Sequence, residues 1–541
     1  MWAVRGVGSG YSGGLSPGKT VCMFASLLAL GCAATPGQCD APMDCEEGLA
    51  CVLLAADAAQ GQCVPVVEGE LPPRTPLWSP LHPDADIDVL IVVDDSPAMA
   101  GRQAAIAAAN DGLVDGLLAI DDAYVRIGVT TTSAGNPNCE TTDDGKLLMH
   151  SCREHLEDFV DDEAALDVSA ACTEACGLAE IPVLATNTNS DGEKRVRPWI
   201  EAIYGTSNLA EGTDVKEALR CAVLQGIGGC RYTSPLKAVQ RALGRSENQP
   251  DPAFGFRRDE AYLAILVLSA GNDCSVAPGH SDIFVDNPAF WGDLAPPDLS
   301  PAICWRAGVV CEGPGPVYAD CVPANFRADG EPGAPEDAVL VPVSDVAQAV
   351  RATLHPEYGL PTGAAVMAIG GVPTDAAQKV PYADAADPAF QAEHGVGPGC
   401  EADDMRAPPP VRLGAFAAEF PFAEQGSRAS VCSDELTGVA DFTAGIAAFI
   451  RPGCVDACSS ADPVVCEVIT LNDEIPNRTV PACVREGDEW VGPSGSPRCY
   501  VVRTGEDLPR QCNTQAALEI VTEEPDAPNI FYAYDCPPCP E

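Results

Sequence analysis

Two apolar runs that each stop abruptly in polar residues constrain this chain more than any other feature. Val89 to Val93, inside D-I-D-V-L-I-V-V-D-D-S-P-A-M (Asp86 to Met99), is an unbroken series of branched side chains ending in two carboxylates and a hydroxyl. Tyr262 to Ser269 (Y-L-A-I-L-V-L-S) has the same form. A run that is apolar at every position fits a strand covered on both faces, the situation of parallel sheets sandwiched between helices. Open sheets of that kind carry their sites at the carboxyl ends of the strands. That puts Asp94, Asp95, Ser96 and Ser269 at the expected functional end.

The chain around these runs alternates. Ile106, Ala109, Leu113, Leu117 and Ile120 recur every three or four residues and predict an amphipathic helix. Tyr124 to Thr130 is the next strand, so a right-handed βαβ unit is expected if the two strands are parallel. Val215 to Leu224 reads as a helix. Leu236, Val239 and Leu243 define another, opened by Thr233-Ser234-Pro235, a cap followed by proline in the first turn. Val346 to Leu354 is a short helix, Gly363 to Gly371 a buried strand and Ala429 to Cys432 a last short one. Leu436 to Ile450 closes the region as a helix. The order predicts a doubly wound, mostly parallel α/β sheet over residues 85–452, with large insertions at about 133–198 and 276–361.

The loop after the first run reads Asp94-x-Ser96-x-Ala98. The stretch resembles the first strand and loop of a von Willebrand factor A domain, where Asp-x-Ser-x-Ser holds a divalent cation in a metal-ion-dependent adhesion site. In that family a threonine five residues ahead of an Ala-Leu helical pair is a second direct ligand. Thr213, in G-T-D-V-K-E-A-L, and Thr233, five before Ala238-Val239, both have the spacing, and either serves equally well as a helix cap. The family's third feature is an aspartate at the end of the second core strand. Here the chain reads Ser269-Ala270-Gly271-Asn272-Asp273-Cys274, with alanine at that place. Magnesium demands near-octahedral oxygen ligation and sheds water reluctantly. With Ala98 and Ala270 in position, the resemblance implies a weak or lost site for Mg or the more permissive Ca. Its ligands would be Asp94, Ser96 and one of the two threonines, with Asp95, Asn272 and Asp273 as substitutes.

Residues 1–31 have the form of an export signal. Arg5 and Lys19 precede an apolar stretch, Val21 to Leu30, too short to span a bilayer. Leu28-Ala29-Leu30-Gly31-Cys32 resembles the bacterial lipobox, which implies lipidation of Cys32 and a membrane anchor. Setting aside Cys22 and Cys32, 24 of the 26 cysteines remain, an even number that reads as structural disulfides in an oxidising compartment. Zinc is the weaker reading, since no finger spacing occurs. Cys39, Cys45, Cys51 and Cys63 staple a small module that a proline-rich linker follows, residues 32–84 in all. Residues 453–541 hold eight cysteines and read as a mainly β domain. Cys221 and Cys230 flank Gly226, Gly228 and Gly229, so a bridge closing that turn is expected. His150, His155, Asp143 and Asp144 are metal-ligand types close in sequence, but are expected as unconnected surface residues. Cys536-Pro537-Pro538-Cys539 is a C-x-x-C with no helix after it to lower a thiol pKa, so no redox catalysis is expected there.

A formal charge of -48, from 79 acidic against 31 basic residues, argues against nucleic acid as a partner. No H-E-x-x-H occurs, and the neighbouring acids Asp94 and Asp95 point to opposite sides of a strand end. The expectation is a non-enzymatic, lipid-anchored envelope protein that presents an A-like domain to a surface or envelope protein. The competing expectation is a structural envelope protein that uses the fold as a scaffold.

Overall fold

The Val89–Val93 run lies near the middle of a seven-stranded sheet in the computed structural model of the chain. The structure describes residues 38–39, 49–52, 61–65 and 79–81, then 85–449 apart from 121–122, 137–138, 140–142, 162–164, 204, 260, 296–297, 355–362, 376, 403–404 and 421–426. Beyond these it describes 454–455, 466–471, 478–486, 489–493, 496–504, 516–522 and 531–536. The expected export signal and Cys32 lie outside the described residues. The chain divides into two units, Met1–Trp78 and Ser79–Glu541. In the first, Gly61–Pro65 pairs antiparallel with both Gln38–Cys39 and Leu49–Val52, which sets Cys51 opposite Cys63.

The strands of the large sheet are β1 (Ala85–Val93), β2 (Ala123–Thr131), β3 (Ile200–Ile203), β4 (Thr206–Ser207), β5 (Tyr262–Leu268), β6 (Ala364–Gly370) and β7 (Arg428–Ser430). Their order is β4-β3-β2-β1-β5-β6-β7. β1 is parallel to β2 and to β5, with Val93 beside Thr131 on one flank and Leu268 on the other. β6 and β7 continue the parallel set, while β3 and β4 form an antiparallel hairpin at the edge. The two apolar runs are therefore neighbours pointing the same way.

The helices are α1 (Gln103–Leu118), α2 (Ser169–Ala175), α3 (Val215–Val223), α4 (Pro235–Ser246), α5 (Ala302–Gly308), α6 (Val343–Ala352), α7 (Pro388–His394), α8 (Val411–Ala418) and α9 (Gly438–Phe449). Successive residues of β1 go to opposite faces. Ile87, Val89, Ile91 and Val93 join a core with α1, α3 and α9, whereas Leu90 and Val92 join one with α4, α6 and α8. That two-sided cover is why the run from Val89 to Val93 is apolar at every position. Burying Val89 to Val93 completely contributes on the order of 10 kcal/mol. α1 and α9 touch closely enough that a Cβ on Gly116 would lie 2.1 Å from the Thr443 methyl, so glycine is required there.

The polar start of β1 has its own account. Asp88 is fully buried and binds the Arg258 backbone N–H at 2.7 Å and its Nε at 2.8 Å. Arg257 and Asp86 complete the group, and Arg126 pairs with Glu201 at 3.2 Å beside it. This buried ion network closes the amino end of the sheet.

The first insertion, between β2 and β3, is held by Cys152–Cys172, and Cys176–Cys221 ties it to α3. Cys230 bonds Cys139. The expected Cys221–Cys230 bridge is therefore wrong: α3 carries Cys221 toward the insertion on its flank, and the glycine turn is closed by other means described below. The second insertion ends earlier than 361, because α6 packs Val346, Ala347 and Val350 into the sheet core as the crossover helix between β5 and β6. Cys274–Cys304 and Cys311–Cys321 hold it. A further excursion, residues 371–410, contains α7 and the hairpin of Cys400–Ala402 with Met405–Ala407, bonded through Cys400–Cys432.

Cys466–Cys536 and Cys483–Cys499 staple the C-terminal β region. Cys536 is thus not half of a C-x-x-C redox pair. Ser79–Leu81, from the proline-rich stretch, pairs with Phe531–Asp535 as the edge strand of that region's sheet. An edge is where a strand tolerates a residue such as Pro80 that has no N–H to give. Among the described residues no helix is long and apolar enough to cross a membrane.

Candidate functional site at the carboxyl end of the sheet

β1 ends at Val93, yet the chain stays in the sheet for one more residue. The Asp94 N–H bonds the Leu268 carbonyl at 2.9 Å. This pins the Asp94 carboxylate, which has no solvent exposure, against the loop that leaves β5. One oxygen accepts the Ser96 N–H at 2.9 Å, and the other accepts the Ser269 hydroxyl at 2.8 Å and the Ala270 N–H at 3.0 Å. Burial pushes the Asp94 pKa above the ordinary carboxylate range, with these hydrogen bonds opposing it.

Asp95 points the other way, toward the loop that leaves β2. The Ser133 hydroxyl reaches its two oxygens at 3.0 and 2.9 Å, and the Thr132 hydroxyl lies at 3.4 Å. Burial first, then the neighbouring carboxylates Asp94 and Asp143, push its pKa up to about 8. The turn from Gly226 to Cys230 covers it. Gly229 donates its N–H to the Asp95 carbonyl at 2.8 Å, and a Cβ there would sit 2.1 Å from the Asp95 carboxyl carbon. Cys230 donates to Ser133 Oγ at 3.0 Å, and the Ile227 and Gly228 N–H groups bond the Asp158 carbonyl. Position 229 is glycine because backbone there must lie directly on a carboxylate.

The structure separates the two threonines. Thr233 is fully buried at this end of the sheet; its hydroxyl donates to the Asn272 carbonyl at 2.9 Å and its carbonyl accepts the Cys274 N–H at 2.7 Å. Ser234 beside it donates its N–H to the Thr132 carbonyl at 2.8 Å. Thr213 lies at the opposite end, lining a cleft with Leu118, Gly205 and Ala123, the first residue of β2. Because β3 runs antiparallel, the chain reaches Thr213 at the amino ends of the parallel strands, and Asp214 there caps α3 by accepting the Lys216 N–H. Thr213 is removed from the candidate ligands.

Two of the expected substitutes have other work. Asp273 is bound by the buried Arg412 Nε at 2.8 Å and by the Ser275 hydroxyl at 2.5 Å. The Asn272 amide donates to the Pro301 and His394 carbonyls, tying the strand-end loop to the second and third excursions. Ala98 is exposed and Ala270 is buried, so methyl groups stand where the resemblance calls for a hydroxyl and a carboxylate. Asp94, Ser96 and Thr233 are three oxygens bearing one charge, which suits at most a weak, largely hydrated magnesium or calcium ion. Asp143 bonds Thr131, and Asp144 pairs with Arg245, away from the edge-to-face pair His150 and His155. Among the described residues no group of three His, Cys, Asp or Glu side chains is placed to hold a metal.

The hydroxyls of Thr132 and Ser133 were not among the residues singled out from sequence. Their signal was the run Thr130-Thr131-Thr132-Ser133 that ends β2 in the way Asp94-Asp95-Ser96 ends β1.

No family model matches the chain, and no curated protein matches it. Among solved structures it is similar to the pilus adhesin SpaC of Lactobacillus rhamnosus GG in its open conformation, at 8% identity and a TM-score of 0.27, over 84% of this chain and 39% of that one. A second form of the same adhesin gives 9% and 0.26 over the same shares. The chain spans about two fifths of the length of those structures. Likeness at this level assigns neither fold nor function.

Proposed function

We propose that this protein is a non-enzymatic, lipid-anchored component of the cell envelope that presents a von Willebrand A-like domain for binding another protein, its cation site reduced to a remnant. The observation that carries this reading is the carboxyl end of β1 between two parallel neighbours, where the Asp94–Ser96 loop is bonded to the loop leaving β5 and Thr233 is bonded to that same loop through the Asn272 carbonyl. The antiparallel edge hairpin and the helices on both faces support the same family. Disulfides between loops suit an exported protein. With the cation weak, recognition falls to the loops and insertions around that end of the sheet.

The test is capture of partners from envelope extract on immobilised full chain, compared with Asp94→Asn, which keeps the shape of the side chain. Specific partners retained by the native chain and lost by the variant support the reading; identical captures refute a role for the strand end. One observation favours the scaffold alternative, namely that Asp94 is dry and Asp95 is covered by Gly229. A melting temperature unmoved by magnesium, calcium and manganese, together with no specific capture, supports the scaffold. Intact mass decides the anchor, since an unmodified Cys32 would remove it.

A further inference from the structure

The first insertion brings together two histidines that neither the sheet nor the strand-end loops use. His150 and His155 flank a 3-10 turn at Cys152–Glu154, and a second such turn, Leu156–Phe159, follows His155 directly. Their ring centroids lie 4.6 Å apart, with the planes at 84°. The segment that carries them is fixed along its length. The Ser151 hydroxyl accepts the Arg153 N–H at 3.2 Å, and the Ser151 N–H bonds the Glu154 carboxylate at 2.7 Å. Cys152 is bonded to Cys172, Phe159 is fully buried, and the Asp158 carbonyl accepts the N–H groups of Ile227 and Gly228.

The ring nitrogens are unequally occupied. His155 Nδ1 lies 3.1 Å from an Asp158 carboxylate oxygen. A carboxylate only accepts, so Nδ1 carries the proton and Nε2 keeps a bare lone pair. That Nε2 is buried and has no hydrogen-bond partner among the described residues, and the His150 ring makes no hydrogen bond to them either. A buried acceptor left unsatisfied costs stability, which a group that takes the lone pair would recover. An outer carboxylate that holds Nδ1 is also the usual support of an imidazole that ligates a metal through its other nitrogen. Burial first, then the neighbouring His150, hold the His155 pKa below 6.5 against the pull of Asp158, so the ring is in the neutral form that ligation requires. Two imidazoles that share one ion through bonds of about 2.1 Å have centroids roughly 4.5–5 Å apart, which matches the pair.

We propose that His155 Nε2 and a ring nitrogen of His150 form a two-nitrogen site for a late first-row divalent cation, copper(II) ahead of zinc, with Asp158 as the positioning residue. Imidazole suits these ions, and copper(II) stands above zinc in the general order of affinity. Magnesium and calcium take oxygen ligands, so the site differs in chemistry from the remnant at Asp94. Among the described residues no third His, Cys, Asp or Glu joins the pair, and water completes the coordination. The inference is independent of the binding reading above.

The test is calorimetry of the full, untagged chain at neutral pH with copper(II) chloride held against glycine, and with zinc chloride. Copper is expected to bind more tightly than zinc and to resist displacement by a large excess of magnesium or calcium. His150→Gln and His155→Gln should each weaken copper binding at least tenfold, and Asp158→Asn about tenfold. His280→Gln, elsewhere in the chain, should leave it unchanged. Electron paramagnetic resonance at one equivalent of copper should show two nitrogen ligands in the native chain and fewer in either histidine variant. His150 makes no hydrogen bond to the described residues, so His150→Gln is expected to keep the native urea midpoint and to remain decisive if His155→Gln unfolds. Copper affinity unchanged in His150→Gln, or a native spectrum without two nitrogens, overturns the proposal and leaves the two rings as an edge-to-face contact.

Discussion

Replacing Asp95 with asparagine should remove a fall in stability that the native chain suffers as pH rises. In the unfolded chain this carboxyl has an ordinary pKa near 3.8, whereas in the native fold it is pushed up to about 8. Between those values the folded state keeps a proton that the unfolded state has released, so folding stability drops with pH and levels off only above 8. At about 1.36 kcal/mol per unit, the interval from pH 5 to pH 8 is worth roughly 4 kcal/mol. Asparagine does not titrate, and its carbonyl oxygen still accepts from the Ser133 hydroxyl, so the variant should lack this fall. Repulsion from the large negative charge is common to both proteins and cancels in the difference. Urea unfolding at pH 5, 6, 7 and 8 without divalent ions, followed by tryptophan fluorescence with the buried Trp199 as reporter, measures it. The advantage of the variant should grow by about 4 kcal/mol across the series. Parallel curves, agreeing within about 1 kcal/mol, would mean that water reaches the carboxylate and that Gly229 does not lie over it.

His394 should act with the opposite sign. Burial lowers its pKa from 6.5 to about 4, so the stability it contributes is complete above pH 6.5 and disappears as pH falls toward 4. His394→Gln should resist acid unfolding over that window by roughly 3 kcal/mol, and identical acid transitions would refute this. Arg412→Leu leaves Asp273 buried without its cation and should cost about 3–5 kcal/mol in thermal or urea unfolding, with part regained in the double variant with Asp273→Asn. A loss below about 1 kcal/mol would place the pair in solvent. Any rise in melting temperature produced by magnesium or calcium should vanish in Thr233→Ala and persist in Thr213→Ala; the reverse result would move the ligand set to the other end of the sheet.

The core of the fold was legible because a strand buried on both faces has only one kind of sequence. Val89 to Val93 and Tyr262 to Leu268 could pair side by side in a covered sheet or nowhere, and they do. The insertions were less legible because their order comes from covalent ties and single ion pairs, which leave no periodicity. α6 was placed inside an insertion since its ten residues resemble any short surface helix until Val346 and Val350 are seen against the sheet. The excursion at 371–410 has no strong apolar pattern and is organised around Cys400–Cys432. For the site, spacing alone could not choose between Thr213 and Thr233. Their helices start at opposite ends of the sheet, and only the antiparallel turn of β3 decides which threonine lies at the same end as Asp94.

The loops at the carboxyl end would be costly to order without a metal to gather them, and the chain supplies other ties. Asp94 holds the β1 and β5 loops together through Ser96, Ser269 and Ala270, while Asp95 holds the β1 and β2 loops through Ser133. Asp273 with Arg412 fastens the β5 loop to α8, and Cys274–Cys304 fastens it to the second insertion. None of these ties needs a cation. Ala98 and Ala270 therefore lie in a surface that is ordered without a metal. The proposed binding face should keep its shape in chelator, so that any partner lost on removing divalent ions was held by the ion itself rather than by the loops.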